Sequence, residues 1–164
     1  MLTPTVAERP AQPYVAIRAQ VTMQTLGAIL PPLHPQVSAW LRGRDIPPAG
    51  APFWKYNVID MDRLLEVEVG VPVTAPVDGD DRVLAGVLPA GRYATLRYTG
   101  HPDGLLGATA ALWEWVGQEG LTWDMTNTPD GERWGARLEI YETDPGAEPD
   151  MTKWTTQLAF RLSG

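Results

Sequence analysis

Cysteine is absent from this chain of 164 residues, which excludes disulfides and thiolate chemistry and leaves the redox compartment unmarked. Serine is scarce: Ser38 falls on a predicted helix and Ser163 beside the C-terminus. Histidine occurs only as His34 and His101, far apart in the chain. A serine–histidine triad therefore has no parts to be assembled from, and a zinc site has too few ligands. No stretch approaches the roughly 18 apolar residues that span a bilayer. The opening MLTPTVAERPAQP has no basic start followed by an apolar run, so it does not read as a signal peptide. The expectation is a soluble, cytoplasmic protein. Neither G-x-x-x-x-G-K-[ST] nor G-x-G-x-x-G after a strand is found, which leaves phosphate-loop nucleotide binding without support. Positive charge is in short supply, with 13 Lys and Arg against 20 Asp and Glu and a net charge of −7. That field repels a phosphate backbone and attracts cations, so no direct nucleic-acid binding is expected. No metal and no cofactor are expected either.

Tryptophan, by contrast, is abundant at seven residues, and so many bulky rings should line something. After an extended, proline-rich lead-in over residues 1–13, YVAIRAQV (14–21) reads as a strand. A short helix is expected near 22–29. In PPLHPQVSAWLRG (31–43), Leu33, Val37, Trp40 and Leu41 make a helical stripe, the leading prolines suit a first turn and Gly43 suits a C-terminal cap. FWKYNVID (53–60) and LLEVEVGVPV (64–73) are predicted strands. APVDGDD (75–81) is a turn-rich acidic linker. Then come a strand, a Pro-Ala-Gly break and a strand over 82–100, and a helix over 104–119 that Gly120 ends. GLTWDMTNTPDGER reads as a long loop, and WGARLEIYETD and KWTTQLAFRL as two closing strands.

The halves share a pattern. YVAIR and YATLR both read Tyr-x-x-[Ile/Leu]-Arg, and the helices that follow end in AWLRG and WEWVG. Each half is strand–helix–strand–strand, which points to a degenerate duplication with pseudo-repeats at about 14–74 and 82–163. The expected fold class is α+β: one domain over 1–164, with two βαββ units joined edge to edge. They would form an antiparallel sheet of about eight strands, with two main helices on one face and a groove between them. Edge strands could pair two copies, but acidic turns oppose this, so a monomer or a weak homodimer is expected.

Three segments, PFWKY with LLEVEVGVPV, LPAGRYATLRYTGHPDGL, and LEIYETDP, resemble the GyrI-like effector-binding domain, the ligand-binding module of AraC- and MerR-type transcription regulators. The resemblance extends from about residue 14 to 163 and implies the duplicated βαββ fold. It also implies a groove for bulky, often aromatic cations, formed by aromatic walls and a strand glutamate. No basic helix-turn-helix region accompanies the module, so a stand-alone form without direct transcriptional control is expected. Some members resemble hydrolases that open strained cyclopropane rings, and others inhibit partner proteins.

Glu139 sits between Leu138 and Ile140 in RLEIY. By alternation it shares a face with Arg137 and Tyr141, while Leu138 and Ile140 share the other. If the apolar pair faces the core, Glu139 is solvated. If it does not, Glu139 points into the groove, where the resemblance places the ligand-binding glutamate. Tyr56 falls where the family has a groove tyrosine, and Trp54 shares its face. Trp134 is expected to open the Glu139 strand, and Trp123, in the long loop, is a candidate lid. The site expected is thus Glu139, Tyr141, Tyr56, Trp134, Trp123 and Trp54. Trp40, Trp113 and Trp115 are read as core. Glu66 and Glu68 form an E-x-E pair, read as the wet face of a strand whose other face is Leu65, Val67, Val69 and Val71. Three functions follow: a binding protein for hydrophobic, cationic small molecules; a hydrolase with Glu139 as catalytic base; and a protein-partner inhibitor.

Overall fold

The computed structural model describes residues 2–164. The strands are β1 (Thr5–Arg9), β2 (Gln12–Val21), β3 (Phe53–Ile59), β4 (Leu65–Pro72), β5 (Leu84–Leu88), β6 (Gly91–Thr99), β7 (Met125–Thr128), β8 (Gly131–Trp134), β9 (Arg137–Tyr141) and β10 (Thr155–Arg161). The helices are α1 (Leu26–Ile29), α2 (Leu33–Arg42) and α3 (Leu105–Gln118). The sheet runs β1-β6-β10-β9-β3-β4-β2-β5, and the β7–β8 hairpin joins it through β8 and β3. All of these pairings are antiparallel.

This order reads the same from either end when β1, β2, β3 and β4 are exchanged for β5, β6, β9 and β10. The centre of the exchange is the β3–β9 pair, with Trp54 opposite Glu139. Each half lends its first strand to the other: β1 pairs with β6, and β5 with β2. β1 and β2 lie towards opposite ends of the order yet are joined by Pro10 and Ala11 alone, and β5 and β6 by Pro89 and Ala90. A two-residue link spans at most about 10 Å, so the ends must approach each other and the sheet curls.

Inside the curl lies a cluster drawn from β5 at one end to β6 near the other, including Tyr14, Phe53, Leu88, Tyr93, Leu138, Ile140 and Ala159. Glycine permits the tightest of these contacts. A Cβ on Gly70 would stand 2.8 Å from Cζ of Phe53. Gly70→Ala should cost about 1–3 kcal/mol through overpacking, read as an earlier midpoint in guanidinium unfolding.

Both main helices cover the other face. α3 buries Ala108, Leu112 and Val116 against Leu96 of β6 and Leu158 of β10. α2 buries Val37 and Leu41 against Val15 of β2 and Val71 of β4. Each of the buried leucines and valines contributes about 1.5–3 kcal/mol. Pro32 caps α2, and Pro35 occupies its first turn, where a backbone N–H has no partner in any helix. Gly43 is the C-terminal cap but keeps a right-handed φ of −64°. The left-handed residue is Asp45, at φ 55°.

Four expectations need correction. The sheet has ten strands rather than about eight, the β7–β8 hairpin lying off an eight-strand path. Residues 5–9 of the lead-in form β1, because β6 offers an open edge. The long loop contains the β7–β8 hairpin, turned at Pro129-Asp130-Gly131, where Gly131 has φ +123°. Glu68 is not on a wet face: it is 2% exposed, because the curl covers the second face as well as the first.

Candidate functional site

Alternation along β3 sends Trp54 and Tyr56 to the helix side while Phe53 enters the inner cluster. On β9, Leu138 and Ile140 lie in that same inner cluster, which leaves Glu139 on the helix side. The two alternatives drawn from sequence are therefore not exclusive: the apolar pair is buried, and Glu139 is itself largely covered.

The β3–β9 register sets Glu139 beside Trp54. The hydroxyls of Tyr141 and Tyr56 donate to its Oε1, at 2.6 and 3.2 Å. Trp54 and Tyr141 meet edge-to-face with ring centroids 5.3 Å apart. The arrangement follows the internal symmetry. Tyr14 pairs with Pro72 and its counterpart Tyr93 with Arg161. Counting back equally along β4 and β10 reaches Val67, the partner of Tyr56, and Thr156, the partner of Tyr141. The two tyrosines are thus equivalent residues of the two halves. By the same count Trp54 is the equivalent of Glu139: one half supplies the carboxylate, the other a ring.

His34, in the first turn of α2, closes the group. Trp54 Nε1 donates to its Nε2 at 2.8 Å. The imidazole stacks on Trp54 at 6.4 Å and 17° and meets the edge of Tyr141 at 6.1 Å and 89°. Sequence reasoning did not select His34. Its local signal was the run PPLHP, which fixes where the helix starts but not what it docks against.

Burial raises the Glu139 carboxyl above its usual range, against the lowering effects of the Tyr141 and Tyr56 hydrogen bonds and of the Arg137 charge. Burial and the neighbouring carboxylate push both tyrosine hydroxyls well up. Burial alone holds His34 down at about 4. Arg137 shares the face of Glu139, but its guanidinium lies over Phe160 and Trp134, 4.5 and 4.9 Å from the ring centroids, and 3.8 Å from Glu132.

Trp134 and Trp123 lie elsewhere. They pack tilted or edge-to-face with Trp113 and Phe160, with centroids 5.1 to 5.9 Å apart, and Arg137 lies between Trp134 and Glu139 along the chain. Trp134 ends β8 rather than opening the Glu139 strand. The chain breaks at Gly135, where any Cβ would collide with Asp124. The backbone of Trp123 bridges to Leu162 and its ring packs on Trp113, Trp134 and Phe160, away from Glu139. Beside Arg137 a cavity of about 490 Å³ opens between α3 and the β7–β8 hairpin, lined also by Leu106, Trp113, Ile59 and Glu132.

The two titrating groups act on stability in opposite directions. The folded chain refuses a proton at His34 that the unfolded chain accepts. The contribution of His34 is therefore complete above about pH 6.5 and is lost as the pH falls towards 4. Glu139 is raised, so its burden is relieved as the pH falls. In urea unfolding at pH 7 and 4.5, His34→Gln should lose less stability on acidification than the parent, by about 2 kcal/mol.

A family model of the GyrI-like small molecule binding domain matches residues 2–162. The chain belongs to this family. Several solved structures share the GyrI-like fold. The EcmrR C-terminal domain is 18% identical with a TM-score of 0.72, and the alignment covers 99% of this chain and 98% of that one. In the EcmrR–DNA complex the values are 19% and 0.76, but the 99% of this chain that aligns spans only 57% of the EcmrR chain. SAV2435 bound to tetraphenylphosphonium is 11% identical with a TM-score of 0.63, covering 99% of this chain and 94% of its own. A hydrolase from Listeria innocua is 15% identical with a TM-score of 0.59, covering 98% and 91%. At such identities these likenesses show the fold. Comparison with curated proteins gives no match. No helix of the described residues is long and apolar enough to cross a membrane.

Proposed function

We propose that this GyrI-like small-molecule-binding domain takes bulky, hydrophobic organic cations, with Glu139 as counter-ion and Trp54, Tyr56 and Tyr141 as walls. One observation carries the reading: a carboxylate is held by two tyrosine hydroxyls beside Trp54, with burial working against its charge. The nearby guanidinium is engaged by Glu132 and by three aromatic faces, those of Phe160, Trp134 and, at 5.9 Å, Tyr56. A cation brought to Glu139 restores the favoured charged form and gains about 0.5–2 kcal/mol from each ring face it covers. The net charge of −7 assists its approach. The ligand in the SAV2435 structure has this chemistry. Titration with tetraphenylphosphonium should quench tryptophan fluorescence in a saturable way at micromolar concentrations. Absence of saturable binding by that ion and by a rhodamine would contradict the reading.

A second reading has one observation in its favour. A raised carboxyl held 2.6 Å from a tyrosine hydroxyl is a suitable general base. Hydrolysis of a strained cyclopropane compound would then consume substrate and release a ring-opened hydrate, detectable by mass spectrometry and lost in Glu139→Gln.

A further inference from the structure

We propose that His34 is a ligand-recognition residue whose Nδ1–H donates to an acceptor oxygen of the bound compound. Resting on the cation-site reading, this narrows the ligand class to aromatic cations that also carry a carbonyl, ether or hydroxyl oxygen.

The indole of Trp54 is a donor only. Its Nε1–H points to Nε2 of His34 at 2.8 Å, so Nε2 presents a lone pair. Burial keeps the imidazole neutral at pH 7, and a neutral imidazole with an accepting Nε2 carries its proton on Nδ1. Among the described residues, His34 Nδ1 is the buried side-chain polar atom that no protein group satisfies. Such orphans are uncommon and unfavourable. The bond from Trp54 accounts for the Nε2 of His34 but leaves the Nδ1–H with no role inside the protein. Its ring touches Trp54 and Tyr141, the two rings that wall Glu139. Donor and carboxylate therefore adjoin the same two rings, an arrangement complementary to a ligand that offers an acceptor and a positive charge. Pro32 and Pro35 flank the residue in the first turn of α2 and fix its position.

Two substitutions separate the nitrogens. His34→Gln keeps an acceptor for Trp54 near Nε2 and removes the donor at Nδ1, whereas His34→Asn keeps a donor near Nδ1 and removes the acceptor. Three probes would be titrated against parent, His34→Gln, His34→Asn and Glu139→Gln: tetraphenylphosphonium, a cation without acceptors; rhodamine 6G, a cation with an ester; and 7-diethylaminocoumarin, a neutral lactone. His34→Gln should weaken rhodamine 6G and the coumarin about tenfold and leave tetraphenylphosphonium within about twofold. His34→Asn should recover part of the coumarin affinity. Equal weakening of all three probes by His34→Gln would make His34 a packing residue and overturn the proposal, as would failure of both oxygen-bearing probes to bind the parent. Indifference of both cations to Glu139→Gln would defeat the counter-ion reading instead, with the coumarin still reporting on His34. Nitrogen-15 spectra of the labelled imidazole test the premise without any ligand. The Nδ1–H tautomer is expected, and an Nε2–H tautomer would refute it.

Discussion

Glu139→Gln should weaken tetraphenylphosphonium binding about tenfold or more. The substitution keeps the shape of the side chain and an oxygen to accept from Tyr141 and Tyr56, which now stand 2.6 and 3.2 Å from Oε1. It removes only the charge. A charge-assisted contact in a site from which water is largely excluded contributes about 1.5–3 kcal/mol. A neutral compound of the same shape, such as tetraphenylmethane with a solubilising group, should lose less than about twofold. The comparison isolates charge from shape. Tyr141→Phe should weaken binding less, since it removes a hydrogen bond that steadies the carboxylate and keeps the ring. Isothermal titration at constant ionic strength reads all of these, and equal affinity of Glu139→Gln and parent would show that the carboxylate is not the counter-ion.

The largest effect on stability is expected at Glu68, on the opposite face of the sheet. Asn57 Nδ2 donates to its Oε2 at 2.5 Å, Tyr14 donates to Oε1, and Arg18 and Lys55 approach Oε2 at 3.4 and 3.9 Å. Lys55 is the vulnerable partner. Its side chain is only 12% exposed, and burial lowers its ammonium while the Glu68 charge supports it. Glu68→Leu leaves that ammonium buried without its counter-charge, an arrangement that costs about 3–5 kcal/mol. For a chain of this length the Tm should fall on the order of 10 °C. Adding Lys55→Met should recover part of the loss, because an apolar pair replaces the broken ionic one. If the double variant is as unstable as the sum of the single ones, the pair is not coupled.

These two carboxylates show where sequence was enough and where it failed. The alternation in LLEVEVGVPV and RLEIY placed the strands and grouped Glu139 with Tyr141, because neighbours two apart on a strand share a face. Alternation cannot say that a sheet curls. The curl comes from two-residue links between distant strands, and it buries Glu68 on a face that reads as wet. β1 was hidden for a related reason. TVAER is short, flanked by Pro4 and Pro10, and its partner strand lies far along the chain, with Thr5 bonded to Thr95. The β7–β8 hairpin is two polar four-residue strands, with only the Pro-Asp-Gly turn as a signal. At the candidate site, Tyr56 came from the family resemblance and Trp54 from sharing its face. His34 reaches the site through tertiary docking of α2, for which no local pattern exists. Trp134 was misplaced by one unrecognised break at Gly135, and Trp123 by treating a loop ring as free.

On the proposed function, the Glu139 carboxylate carries its charge for a cation. The most direct test is the carboxyl carbon-13 resonance of Glu139, assigned by its loss in Glu139→Gln and titrated with pH in the presence and absence of saturating tetraphenylphosphonium. The free domain should titrate above the ordinary glutamate range, because burial dominates. With the cation bound the midpoint should fall, since a positive charge within a few ångströms favours the carboxylate. A midpoint that stays where it was, with the cation demonstrably bound, would place the ligand away from Glu139 and contradict the account.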